Sequence, residues 1–193
     1  MSAAVFYYDV MSPYAWLSAE RIDQVFADPV EWQPVFLGGI FKERGRGSWA
    51  MEDPETRAAG IAEVERRADR YGLPELHWPA LWPTNSLAAM RVATWATGIG
   101  RGRAFALAAC RAAFLHGRDL SEFDAVLEAA AQAGLDRADA TAAAEDPAIK
   151  AALRETTDAA LARGVIGVPA VVVGGEAFWG DDRLEEAAAA AGR

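Results

Sequence analysis

The sequence predicts an α/β fold, a small sheet of four strands interrupted by a large all-helical insertion, and three observations carry that reading. A β-branched, aromatic segment near the start runs directly into a helix start at Ser12-Pro13. From Met51 to about Arg163 the composition turns to Ala, Glu, Arg and Leu at helical spacing, with no strand pattern. Val168-Pro169 then leads into the all-apolar Ala170 to Val173, a short buried strand.

The elements follow in order. Ala3 to Asp9 reads as a buried strand, and the helix after it, through Phe26, has Ser at its N-cap and Pro at its first position. Val30 to Leu37 alternates well enough for a second strand; Pro34 places it at an edge or bulge, and Gly38-Gly39 is expected to end it. Gly72-Leu73-Pro74, the Pro79 to Pro83 stretch, Gly98 to Gly102, Gly117, Gly134 and Asp146-Pro147 divide the central block into four to six helices. Gly174-Gly175 turns the third strand into a fourth at Ala177 to Trp179, and Asp181-Asp182 starts a closing helix. Without its helical block the order is βαβ…ββα with a proline before the third strand, the outline of a thioredoxin-like domain carrying an insertion, although the pattern alone leaves other α/β folds open.

Composition narrows the function. The 193 residues are 52% hydrophobic and 24% charged, proportions of an ordered globular chain. A single cysteine, Cys110, excludes a disulfide scaffold and fits a reducing compartment; its apolar helical setting makes it a small buried hydrophobe. The net charge of −9 opposes binding to nucleic acid. Met1 to Val10 carries no cationic region ahead of its apolar residues and the longest apolar runs are too short to span a bilayer, so a cytoplasmic protein with no membrane association is expected. His77 and His116 lack neighbours at metal-ligand spacing, and no glycine fingerprint for a nucleotide follows a strand.

Three places can carry chemistry. Ser12 sits at the positive end of a helix dipole, where thioredoxin-like oxidoreductases keep the first cysteine of Cys-x-x-Cys. Ser12 and Ala15 occupy the two cysteine positions, so this site cannot itself exchange disulfides, but a hydroxyl there can donate to a thiolate brought by a ligand. Ser12 serves equally as a plain N-cap worth about 1 kcal/mol. Val168-Pro169, if cis, leaves the Val168 backbone free to pair with an extended ligand; alone, it is also an ordinary strand entrance. Asp181 and Asp182 either charge the first turn of the last helix or receive a ligand ammonium. Trp49, Trp82 and Trp179 fall near loops expected to border a pocket, where flat apolar walls suit an aromatic ligand.

Phe6 to Ala15, Leu37-Gly38-Gly39-Ile40-Phe41-Lys42, Asn85-Ser86-Leu87 with Arg91, Gly164 to Pro169 and Phe178 to Leu184 together resemble the successive signatures of the 2-hydroxychromene-2-carboxylate isomerase family, which is related to kappa-class glutathione transferases and more distantly to DsbA-like oxidoreductases. The resemblance implies a thioredoxin-like domain at residues 1–45 and 164–193 with a helical insertion at 46–163. It also implies glutathione as cofactor. Ser12 matches the serine that favours the glutathione thiolate, and Val168 the residue whose backbone pairs with its cysteinyl part. Trp179, Gly180, Asp181 and Asp182 match the stretch holding the γ-glutamyl end, with Asp182 facing its ammonium. Lys42 and Asn85 match positions near the electrophile pocket. The activity implied is isomerisation of an aromatic unsaturated 2-oxo acid by reversible thiolate addition; glutathione transfer, peroxide reduction or a non-enzymatic binding module are the alternatives. Family members are often dimers. The chain departs from the family at Gly45-Arg46-Gly47-Ser48-Trp49, where a Gly-Asn pair and prolines are common, and at Asp181, where Asn or Gln is commoner. Its glutathione half matches better than its substrate half.

Overall fold

The computed structural model describes residues 4–192. Its sheet has the order β2-β1-β3-β4, with β1 (Val5–Tyr8) parallel to β2 (Glu31–Pro34), and β3 (Ala170–Val173) antiparallel to both β1 and β4 (Glu176–Trp179). Ala3, which the sequence places in the first strand, lies outside the described residues. Central strands buried on both faces should be apolar throughout, and β1 and β3 show why. Phe6, Tyr8, Val171 and Val173 face the larger core, whereas Tyr7, Ala170 and Val172 face a smaller one with Val35, Ile40, Val165 and Val168. β2 is an edge strand, which accommodates Pro34.

Helix α1 (Pro13–Val25) follows β1, and α2 (Leu37–Arg44) follows β2. Here the structure corrects the sequence reading: the second strand stops at Pro34, and Gly38-Gly39 lie inside α2 instead of ending a strand. The cause is long-range. The Asp9 carboxylate accepts the Leu37 N–H at 2.9 Å and so supplies the cap that local sequence lacks. Gly38 is required by a close approach, since a Cβ there would lie 2.8 Å from the Phe36 ring. Six helices then precede β3: α3 (Pro54–Arg70), α4 (Leu87–Gly98), α5 (Gly102–His116), α6 (Phe123–Gln132), α7 (Arg137–Glu145) and α8 (Pro147–Ala162). Asp53 and Asp146, each followed by Pro at the first helical position, cap α3 and α8 through their side chains. A short 3₁₀ turn at Asp181–Arg183 precedes the closing helix α9 (Leu184–Ala191). The larger core runs from Phe6 and Trp16 through Met90, Phe105, Phe114 and Val126, so sheet and helices share it. Among the described residues no helix is long and apolar enough to cross a membrane.

Candidate functional site

Three segments distant in sequence meet at the N-terminus of α1. Ser12 is extended (φ −87°, ψ 117°), and its Oγ accepts the Ala15 N–H at 3.2 Å as an N-cap. The same hydroxyl donates to the Val168 carbonyl at 3.3 Å, across 156 residues. The Val168-Pro169 peptide is cis. Pro169 offers its carbonyl to the Gly180 N–H at 3.0 Å, which brings the start of the last helix alongside. Among the described residues the Ser12 hydroxyl is the only hydrogen-bond donor on the Val168 carbonyl, and the Val168 N–H has no backbone partner.

The floor is set by Asp9, a residue to which the sequence reading gave no role. Its fully buried carboxylate accepts the Met11 N–H at 3.0 Å, the Leu37 N–H at 2.9 Å and the Ser86 hydroxyl at 3.0 Å. One side chain thus joins the β1–α1 turn, α2 and the start of α4. Burial pushes its pKa above the ordinary carboxylate range, against the pull of these donors. Its position within the Phe6 to Ala15 motif was the available signal.

Asp181 is buried, and its carboxylate turns inward onto Arg67 Nη1 at 2.6 Å and the Tyr71 hydroxyl at 3.0 Å. Burial raises its pKa while Arg67 lowers it. A guanidinium therefore balances the extra charge that the sequence places here, and the carboxylate is committed within the protein. Asp182 is exposed, with Arg67 Nη1 at 3.7 Å. Gly180 (φ 115°) permits this arrangement, since a Cβ there would come within 2.4 Å of Asp182 Oδ1. Arg67 and Tyr71 were missed because the 3.6-residue period of α3 marks Arg67 only as a partner for Glu63.

On the other flank Arg46 donates to the Ile166 carbonyl at 2.6 Å, and its guanidinium lies 5.0 Å from the Trp179 ring centroid. The indole covers Gly167, where a Cβ would be 2.7 Å from Trp179 Nε1. Opposite, Tyr14, Trp49, Trp82 and Trp78 form a chain of rings with centroids 6.3, 5.4 and 4.7 Å apart. Buried Trp82 donates Nε1–H to the Met11 carbonyl, next to Ser12. Trp179 is 43% exposed and stands at the rim.

Lys42 and Asn85 do not join this cluster. The Asn85 side chain accepts the Leu87 N–H at 2.9 Å, a local turn before α4. Lys42 lines a separate cleft between α2, α4 and α8 to which neither Ser12, Val168, Trp179 nor Asn85 contributes. Cys110 is buried, and burial pushes its thiol pKa up, which makes it a poor nucleophile. Among the described residues no group of three or more His, Cys, Asp or Glu side chains could hold a metal ion.

A sheet of this order, a polar residue capping the first helix and a cis proline beside it define a thioredoxin-like protein whose redox cysteine position holds serine. The chain belongs to the DSBA-like thioredoxin domain family, whose model matches residues 4–191. It is 27% identical over 184 residues to the 2-hydroxychromene-2-carboxylate isomerase of Sphingobium xenophagum, covering 93% of each chain. It is 28% identical over 197 residues to glutathione S-transferase kappa 1 of Homo sapiens, covering 93% of this chain and 86% of that one. A solved 2-hydroxychromene-2-carboxylate isomerase superposes with a TM-score of 0.87 at 23% identity, over 99% of this chain and 95% of the other.

Proposed function

We propose that the protein is a glutathione-dependent isomerase acting on an aromatic unsaturated 2-oxo acid such as 2-hydroxychromene-2-carboxylate. The observation that carries this reading is the Ser12 hydroxyl, placed at the α1 N-terminus and bonded to the carbonyl of the residue before a cis proline. The residues suit a short thiol peptide. Val168 offers an unpaired N–H and a weakly bonded carbonyl, as the edge of a strand does. Gly167 and Gly180, lacking a Cβ, let Trp179 and the Asp182 carboxylate lie close against the backbone at the two sides of the groove. Asp182 can receive the ammonium of a γ-glutamyl group, and Arg46 is placed for a carboxylate.

When bound, glutathione would supply a sulfur nucleophile that adds to a conjugated carbon, allows rotation about the former double bond, and leaves unchanged. The protein's part is to hold that sulfur as thiolate. With glutathione bound, the Ser12 hydroxyl, whose bond to the Val168 carbonyl is long, would donate to the sulfur instead and free that carbonyl for a ligand N–H. The α1 dipole stabilises the charge further. The Ala15 N–H keeps Ser12 Oγ fixed, and Asp9 keeps the turn beneath it rigid. Tyr14 and Trp49, backed by buried Trp82, give an aromatic substrate an apolar surface, with Trp179, Gly180, Asp181 and Asp182 bounding the opposite end. The need for a reduced thiol suits a cytoplasmic location.

Calorimetric titration with glutathione, followed by ultraviolet thiolate absorbance of the complex across pH, tests the reading. Binding with a thiol pKa below the ordinary value of about 8.5 is expected; no binding overturns it. Mass spectrometry of the reaction separates isomerase from kappa-like transferase, since an isomer keeps the substrate's mass and a conjugate does not.

A further inference from the structure

The cleft between α2, α4 and α8 has a volume of about 430 Å³, within the usual range for small-molecule sites. Each helix contributes one face: Gly39, Lys42 and Glu43 from α2; Leu87 and Arg91 from α4; and Lys150, Leu153, Arg154 and Thr157 from α8. The floor is apolar, made by Phe36, Leu87 and Leu153. Thr157 fixes it, donating to the Leu153 carbonyl at 2.7 Å and accepting the Phe36 N–H at 3.0 Å.

Charge is what sets this cleft apart. The chain has only two lysines, Lys42 and Lys150, and both lie on the rim of this one cleft. Neither forms an ion pair among the described residues. Arg154 meets Asp158 only at 3.9 Å, and Glu43, the other acid at the rim, forms no ion pair there. Arg91 is held by one arm, Nη1 on the Ala144 carbonyl at 3.0 Å, while its buried Nε has no hydrogen-bond partner among the described residues. No carboxylate among the described residues pairs with its charge, which is left for a ligand anion. Four cations against two carboxylates make a locally positive basin on a protein of net charge −9.

We infer that this cleft is a second ligand site, which binds a small organic acid: a carboxylate on an apolar body, with the body on Phe36, Leu87 and Leu153 and the carboxylate at Arg91 and the two lysines. It is distinct from the thiol groove. Successive residues of α2 turn by 100°; Ile40 packs in the core with Val168 and the Phe41 ring lies toward Arg46, whereas Gly39, Lys42 and Glu43 face the cleft. The inference does not rest on the glutathione reading.

The rarity of lysine supplies the test. Reductive methylation with carbon-13 formaldehyde keeps the positive charge and labels, besides the α-amine, only Lys42 and Lys150, assigned through Lys150→Arg. With 2-naphthoate as probe, both lysine resonances are expected to shift saturably with one dissociation constant. Arg91→Met should weaken it about tenfold or more, and the exposed-rim variant Lys150→Gln should weaken it while leaving the thermal transition in place. Unmoved resonances would overturn the inference. So would equal shifts with 2-naphthylmethanol, which lacks the charge, or with acetate at the same concentration, which lacks the apolar body. Glutathione titrated into the labelled protein is expected to leave these resonances in place.

Discussion

Replacing Ser12 with alanine separates a helix cap from a thiol-activating group, because the two roles have different magnitudes and different readouts. As a cap, Ser12 Oγ satisfies the Ala15 N–H, and its loss costs about 1 kcal/mol. For a domain of this size that is a fall in Tm of roughly 2–4 °C. As a donor to sulfur, the hydroxyl exchanges a neutral bond to Val168, worth about 1 kcal/mol, for a charge-assisted one worth about 1.5–3 kcal/mol. The difference, about 0.5–2 kcal/mol, corresponds to a rise of about one unit in the bound thiol pKa when the hydroxyl is removed. At a pH below that pKa the thiolate fraction, and with it kcat, falls by up to about tenfold, while affinity for the protonated thiol changes little. Thiolate absorbance of the glutathione complex against pH, for wild type and Ser12→Ala, measures the shift; differential scanning calorimetry measures the cap. An unchanged thiol pKa in a variant whose Tm has fallen by the cap's share would show that Ser12 only caps α1.

Three further outcomes follow from the site. Asp9 and Asp181 have pKa values raised chiefly by burial, so the folded protein retains their protons to higher pH than the unfolded chain does; stability should be fully present below about pH 4 and decline as pH rises through the folded values. Asp53, Glu63 and Asp119 are lowered and act below that window; urea midpoints from pH 4 to 8 that climb instead would contradict the assignment, and Asp9→Asn should flatten the decline. Arg67→Met strands the buried Asp181 carboxylate and should cost about 3 kcal/mol, most of it recovered in the double variant with Asp181→Asn; additive losses in that cycle would mean that the two do not act as a pair. Gly180→Ala forces an alanine to φ 115° and pushes Asp182 aside, so it should destabilise by about 1–3 kcal/mol and weaken glutathione binding; wild-type affinity would remove Asp182 from the site.

What was legible in the sequence was whatever depends on local order. Continuous apolar runs gave β1 and β3, Ser-Pro and Asp-Pro gave helix starts, and Val168-Pro169 stood out because an apolar strand follows it at once. Gly38-Gly39 misled, because glycine pairs usually mark turns and the cap that makes α2 a helix comes from Asp9, 28 residues away. The inward turn of Asp181 was hidden for the same reason: its partners Arg67, in α3, and Tyr71, at the C-cap of α3, lie more than a hundred residues upstream and read as ordinary surface-type residues. Lys42 closes the motif that suggested a substrate pocket, but helix rotation past Phe41 sets it on the cleft, and rotation about a helix axis is fixed by what the helix packs against.

The chain of indoles beside Ser12 also bears on how the protein can be observed. With ring centroids 4.7 Å apart for Trp78 and Trp82, and 5.4 Å for Trp82 and Trp49, excitation absorbed by any one of them is shared among the three. Their transition dipoles couple, so the near-ultraviolet circular dichroism should carry a signed couplet that no isolated tryptophan produces. An aromatic molecule laid against Tyr14 and Trp49 would quench the whole set and distort the couplet, reporting occupancy of the groove without any label.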